Sequence, residues 1–281
     1  MSARRDVTYR YDGSFEGFLC CVFRSYQMGE NPEDIFPPGT DQLSFFDYVE
    51  IVTDEGYAQR VLRSIPPKMG KDALDFIKRA FLTSLPKKEW YMLRFLQLGY
   101  RHGPRVMRML TDDSVNALFK AVNHLTNEAH LLTGFVRFSV CGGALVSIID
   151  PKNYVLPILR PHFAERYPNE RFLIYDRTHK MALVHDGGKT GIGPLEDFHM
   201  PSPDAEEETF RELWKLFYDT IAVPGRENPR CRRSHMPERY WHNMTEFNWH
   251  KKRNQNHPES LPALSAAHLP CSPIGPASGQ K

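Results

Sequence analysis

Apolar positions recur at a 3.6-residue period through most of the first half of the chain and give way to short β-type runs near residue 134. Val7 to Tyr11 alternates weakly and predicts a short strand. Asp12-Gly13 is a turn, and Ser14 is a helix cap. The helix that follows spans about Phe15 to Gln27, with Phe15, Phe18, Leu19, Val22, Phe23 and Tyr26 on one face. Asn31-Pro32 and Pro37-Pro38-Gly39 predict a loop, and Phe45 to Val52 a strand. Ala73, Phe76, Ile77, Ala80 and Phe81 keep helical spacing. Glu89 to Tyr100 is apolar on most sides and predicts a buried helix, stopped or kinked at Gly103-Pro104. Thr111 is placed as the cap of a long helix, with Asp112 and Asp113 in its first turn. One face of that helix carries Val115, Leu118, Phe119, Val122, Thr126 and Ala129, and Gly134 sits where a terminating glycine would.

Beyond that point Phe135–Val140 and Ala144–Ile149 predict a hairpin closed by Cys141-Gly142-Gly143. Asp150-Pro151 opens a helical segment that ends near Tyr167. Arg171–Tyr175 and Met181–His185 form a second strand pair. Ser202-Pro203-Asp204 starts a helix carrying Phe210, Leu213, Trp214, Phe217 and Ile221, and Pro224-Gly225 ends it. A last helical turn falls within Pro237–Phe247. The expected fold is α+β: a mainly helical part, about 7–133, packed on a small antiparallel sheet with flanking helices, about 134–250, as a single domain of 7–250. Residues 254–281 hold five prolines and no aromatic residue, so a disordered tail is expected from about 251.

Apolar residues make up 41% and charged residues 25% of the 281 positions, which excludes a disordered or fibrous chain. No run approaches a membrane span, and Met1-Ser-Ala-Arg-Arg-Asp is followed by no apolar stretch. A cytoplasmic location, without membrane contact, is therefore expected. The cysteines, Cys20, Cys21, Cys141, Cys231 and Cys271, contain no C-x-x-C, which argues against an iron–sulfur site, a zinc ribbon or a disulfide framework.

The net charge of +2 hides strong segregation. Residues 1–58 carry −7, 59–108 carry +9, 195–225 carry −6 and 226–253 carry +5. The first basic block includes Lys78, Arg79, Lys87, Lys88, Arg101 and Arg105, interleaved with helical apolar faces. Such a surface could neutralise phosphates, or it could simply be a solvated face paired with the acidic N-terminal block. The second block mixes Arg232, Arg233 and Arg239 with Tyr240 and Trp241. That mixture suits backbone contacts with base stacking, or equally aromatics packed on a core with arginines at its rim.

Most catalytic signatures fail. Gly188-Lys189-Thr190 lacks the glycine five positions before Gly188, where Leu183 stands, and Gly191, Gly193 and Pro194 prevent the helix a phosphate loop needs. His124 and Glu128 stand four apart with His130 nearby. Together with Asp150, His162, Asp176 or His185 they could bind a metal, but the zinc-protease and zinc-deaminase signatures are absent. No metal and no cofactor is expected, and no serine-hydrolase elbow is present. His162 and Arg166 share one helix face. Asp176 follows a strand-like Ile174-Tyr175, a place for a general acid or base, or for an ion pair joining helix to strand.

Several segments together resemble a bacterial family of DNA-repair (DNA-metabolism) proteins built on a domain of unknown function. They are Tyr11-Asp-Gly-Ser-Phe-Glu-Gly-Phe-Leu19, Glu128-Ala-His130 with Gly134-Phe-Val-Arg-Phe138, Asp150-Pro-Lys-Asn, His162-Phe-Ala-Glu-Arg166, Phe172-Leu-Ile-Tyr-Asp176 and Met236-Pro-Glu-Arg-Tyr-Trp241. The likeness runs from about Tyr9 to Trp249. It implies a gene neighbour, a radical-SAM protein of DNA modification or repair, and occasional fusion to uracil-DNA glycosylase domains. It implies a nucleoid-associated location but transfers no catalytic residue. The resulting expectation is a DNA-repair protein that binds DNA and acts with the radical-SAM partner. Arg137, Arg166 and Trp241 join the basic positions above as DNA contacts. The Glu128/His130/Arg137 and His162/Arg166/Asp176 groups would line a site between the two parts. The alternatives are an enzyme acting on a damaged or flipped nucleotide, with His162, Asp176 and Glu128 as catalytic candidates, and a non-enzymatic protein adaptor.

Overall fold

The computed structural model describes residues 7–39, 48–196, 198–200, 205–221 and 228–247. Strand β1 (Thr8–Arg10) lies between β2 (Asp34–Phe36) and β3 (Tyr48–Glu50), and both neighbours run parallel to it. Helix α1 (Phe15–Met28) begins at Ser14, whose hydroxyl accepts the Gly17 amide at 2.9 Å. It ends at Gly29, whose φ of 68° is the left-handed stop that glycine adopts most easily. α2 (Glu55–Met69) is capped by Asp54 and keeps Pro66 and Pro67 near its end. Two missing amide donors would ordinarily break it there; its buried face of Ala58, Val61, Ile65 and Met69 holds it in place.

α3 (Lys71–Phe81) and α4 (Lys88–His102) follow, then a 3-10 turn over Gly103–Arg108 and the long α5 (Asp113–Phe135). Asp112, rather than Thr111, caps α5 through the amides of Ser114 and Val115. A carboxylate accepting two amides at the positive helix end outcompetes a single hydroxyl. Gly134 lies within the last turn of α5 rather than beyond it.

The second sheet runs in the order β4 (Ser139–Cys141), β5 (Ala144–Ile149), β6 (Phe172–Asp176), β7 (Met181–Asp186), β8 (Lys189–Pro194). The β4–β5 and β6–β7 pairs are antiparallel, as the sequence predicts. The chain is an α+β protein, but this sheet is mixed and not purely antiparallel. β5 and β6 run parallel, because the connection between them carries helix α6 (Leu156–Arg166), which returns the chain to the same end of the sheet. β8 occupies the glycine-rich segment that begins at Gly188-Lys189-Thr190, and β2 lies in the predicted loop between Pro32 and Pro37. Past the sheet come α7 (Ala205–Ile221), α8 (Pro229–His235) and a 3-10 turn over Glu238–Asn243.

Two hydrophobic cores meet along α5. Its first half gives Val115, Leu118 and Val122 to a core with Tyr9, Phe18, Ile35 and Phe95. Its second half gives Leu125, Ala129 and Leu132 to a core with Leu159, Phe163, Phe172 and Leu183. One helix thus serves as a common wall, and any groove along its outer face lies at the junction of the helical and mixed parts. Among the described residues no helix is long and apolar enough to cross a membrane. Residues 45–47, the predicted helix start at Ser202-Pro203-Asp204, the Pro224-Gly225 stop and the tail from 251 lie outside the described residues.

Candidate functional site

A cleft of about 750 Å³ lies along the outer face of α5. Its floor is the helix stripe Asp113, Asn116, Ala117, Lys120, Ala121, His124, Asn127, Glu128 and Leu131, spaced three or four apart. The eighteen helical steps from Asp113 to Leu131 make that stripe about 27 Å long. Its rim is formed by Ser84, Leu85 and Pro86, between α3 and α4, by Lys152 and Asn153, ahead of α6, and by Arg239 from the last 3-10 turn.

Glu128 ties these elements together. Its side chain is buried, and it accepts the backbone amides of Lys152 at 3.0 Å and Asn153 at 2.8 Å. It also accepts Asn153 Nδ2 at 2.6 Å, Arg239 Nη2 at 2.8 Å and the Tyr240 hydroxyl at 3.1 Å. Burial alone would raise its pKa. The two amides, the Asn153 side chain and the Arg239 charge outweigh burial and hold the carboxyl below the ordinary glutamate range. Burial and the Glu128 charge push the Tyr240 hydroxyl up to about 12. Asn153 extends the network: its Oδ1 accepts the Ser84 amide at 2.9 Å and hydroxyl at 3.2 Å. The Tyr154 amide donates to Leu82 O at 2.9 Å. With about four lone-pair sites and five donors, Glu128 has no capacity left to take a substrate proton. It is an ionised hub that fixes the cleft.

The other two catalytic candidates do not line this cleft. Asp176 is fully buried and accepts the His179 backbone amide at 3.1 Å and pairs with His179 Nδ1 at 2.7 Å. A carboxylate only accepts, so Nδ1 is the donor in that pair. His162 lies on α6 against the edge of Phe163, and its Nε2 is buried with no hydrogen-bond partner among the described residues. Among those residues no group of three or more His, Cys, Asp or Glu side chains converges to hold a metal.

The basic candidates divide by environment. Lys78, Arg79, Arg101, Arg105 and Arg166 are exposed. Lys87 pairs with Asp34 at 2.6 Å. Lys88 turns inward to donate to Phe81 O at 2.6 Å, and burial lowers its pKa. Thirteen residues of α4 put Lys88 and Arg101 about 20 Å apart, so the first basic block is not one surface. Arg137 is bound to the buried Glu246 through Nη2 at 2.7 Å and Nε at 3.3 Å. Arg232 stacks over Trp241, Arg233 pairs with Glu238, and Trp241 Nε1 donates to Met236 O. Of the predicted contacts only Arg239 reaches the cleft. Lys120, Lys152, Asn116, Asn127 and Ser84 complete it, and their one trace in the sequence is the polar i,i+4 stripe around His124 and Glu128.

This geometry defines an α+β protein with a preformed, cation-rimmed cleft at the junction of its two cores. The chain belongs to the family described as a domain of unknown function, DUF4130, whose model matches residues 86–246. That span takes in α4, all of α5, the mixed sheet and the Glu128 hub with its partners, apart from the Ser84–Leu85 part of the rim. No curated protein and no solved structure matches the chain.

Proposed function

We propose that this protein is a DNA-binding protein of DNA repair that works with a radical-SAM partner. The observation that carries the DNA-binding half is the cleft itself. Lys120, Lys152 and Arg239 gather there from three separate parts of the chain, around a carboxylate whose acceptor positions are already filled. Cations presented by a rigid wall, with amide and hydroxyl side chains between them, suit phosphate oxygens. The exposed Lys78, Arg79 and Arg105 would add contacts outside the cleft.

The DNA-repair setting and the radical-SAM partner rest on the family resemblance of the quoted segments. A contact with a protein suits α7, whose Phe210, Leu213, Leu216, Phe217 and Ile221 are all exposed. The test is a gel shift of nuclease-treated protein with single- and double-stranded oligonucleotides, beside affinity capture of the co-expressed radical-SAM protein. A shift at low salt and capture that survives nuclease are expected. No shift removes the DNA-binding half, and capture lost with nuclease removes a direct protein contact.

A further inference from the structure

We infer that the cleft along α5 is a track for one nucleic-acid strand, holding its sugar–phosphate backbone without stacking its bases. This rests on the DNA-binding reading above and narrows it to a substrate class.

The shape comes first. About 750 Å³ spread along about 27 Å of helix is a long, narrow trough and not a rounded pocket. Spread over that length, the volume leaves a mean cross-section of only about 28 Å², far too small for a duplex. One extended strand fits.

The chemistry comes second. Among the described residues no Phe, Tyr or Trp lines the cleft, and its one aromatic ring is the His124 imidazole. Proteins that hold single strands through their bases place aromatic rings in the groove. Here the Trp241 ring is stacked on Phe247 at 4.6 Å and does not line the cleft. What the cleft presents instead is a series of donors. Lys120 is exposed midway along the floor, and Lys152 is exposed on the rim. Among the described residues neither makes an ion pair. Arg239 is oriented by Glu128 through Nη2 alone, so its remaining N–H groups can take a phosphate. Asn116, Asn127 and Ser84 supply neutral donors between the charges. Asp113, at one end of the stripe, is the acidic stop.

The test is fluorescence anisotropy with a labelled single strand, an abasic strand of the same length and a duplex. The proteins are wild type, the Lys120→Ala/Lys152→Ala double variant, and Lys189→Ala as an exposed control on β8. Both cleft lysines are exposed, so the double variant keeps its fold, which circular dichroism checks. The wild type should bind the intact and abasic strands within about twofold and the duplex more weakly. The double variant should lose about tenfold in affinity, and its salt slope should become shallower by about 1.4, or 0.7 per lost contact. Lys189→Ala should match the wild type.

If the wild type binds DNA and the double variant binds equally well, the cleft is not the track, while the DNA-binding reading stands. If the abasic strand binds roughly fivefold or more weakly, bases are held and the inference fails. A preference for the duplex also overturns it. If the wild type binds no oligonucleotide at about 50 mM salt, the inference and the reading beneath it fall together.

Discussion

Glu128→Ala is expected to lose about 3–5 kcal/mol of folding stability, which for a chain of this size lowers the melting temperature by roughly 10 °C. The carboxylate is buried and receives five donors from two other parts of the chain. Removing it strands the Asn153 amide, the Asn153 side chain and the Arg239 guanidinium together, and the unmade bonds cost more than the lost side-chain packing. Glu128→Gln keeps the volume but aims an NH₂ at groups that are themselves donors, so it should fall between wild type and alanine. The effect also has a direction in pH. Because the folded carboxyl lies below its ordinary range, its contribution is complete above the unfolded value of about 4.3. It is lost as pH falls through the lower folded value. Denaturant melts at pH 7 and near pH 3 should therefore show the wild-type advantage shrinking in acid. A gap of constant size would mean the carboxylate is not the hub.

Arg137→Ala is expected to lose about 3 kcal/mol and to leave the DNA affinity of the folded protein unchanged. By sequence Arg137 is a DNA contact. In the structure its guanidinium forks onto Glu246, a carboxylate only 1% exposed, and its Nη1 donates to Gly134 O at 2.8 Å. Its guanidinium carbon lies 5.9 Å from the centre of the Trp214 ring. The arginine thus ties the end of α5 to the last described segment and to α7. Without it Glu246 keeps, among the described residues, only the Trp214 Nε1 donor at 3.4 Å, a poor substitute for a charged fork. Arg137→Lys should recover only part of the loss, because an ammonium cannot make both bonds in that plane. Urea melts measure the stability, and anisotropy of the refolded variant measures the affinity. A variant as stable as wild type but weak on DNA would restore the original assignment.

The contrast between Arg137 and Lys120 shows where sequence reading succeeds and where it stops. Helix periodicity locates α1, α4 and α5 because an amphipathic stripe is a local property. It misses α2, whose Pro66-Pro67 pair argues against a helix until the buried face of Ala58, Val61, Ile65 and Met69 is seen to hold it. It locates β5 and β6 but not their parallel pairing, which the path of the α6 connection decides. Charge counts locate basic blocks, but a block along a helix spreads over both its ends and all its faces. Lys88 turns inward, Lys87 is spent on Asp34, and Arg101 sits about 20 Å from either. The cleft draws Ser84, Lys120, Lys152 and Arg239 from separations of 32 residues and more, apart from the α5 stripe itself. Its only local signature is His124 and Glu128 four apart, and that signature is shared by any polar helix face.

If phosphate charge is what the cleft recognises, the salt dependence of binding reveals it most directly. A single-stranded oligonucleotide titrated by anisotropy from about 50 to 200 mM salt should give a linear log–log plot. Contacts from Lys120, Lys152 and Arg239 alone predict a slope of about −2, or 0.7 for each phosphate neutralised, and any contact from Lys78, Arg79 or Arg105 steepens it. A slope near zero, or no binding at the lowest salt, would contradict the account.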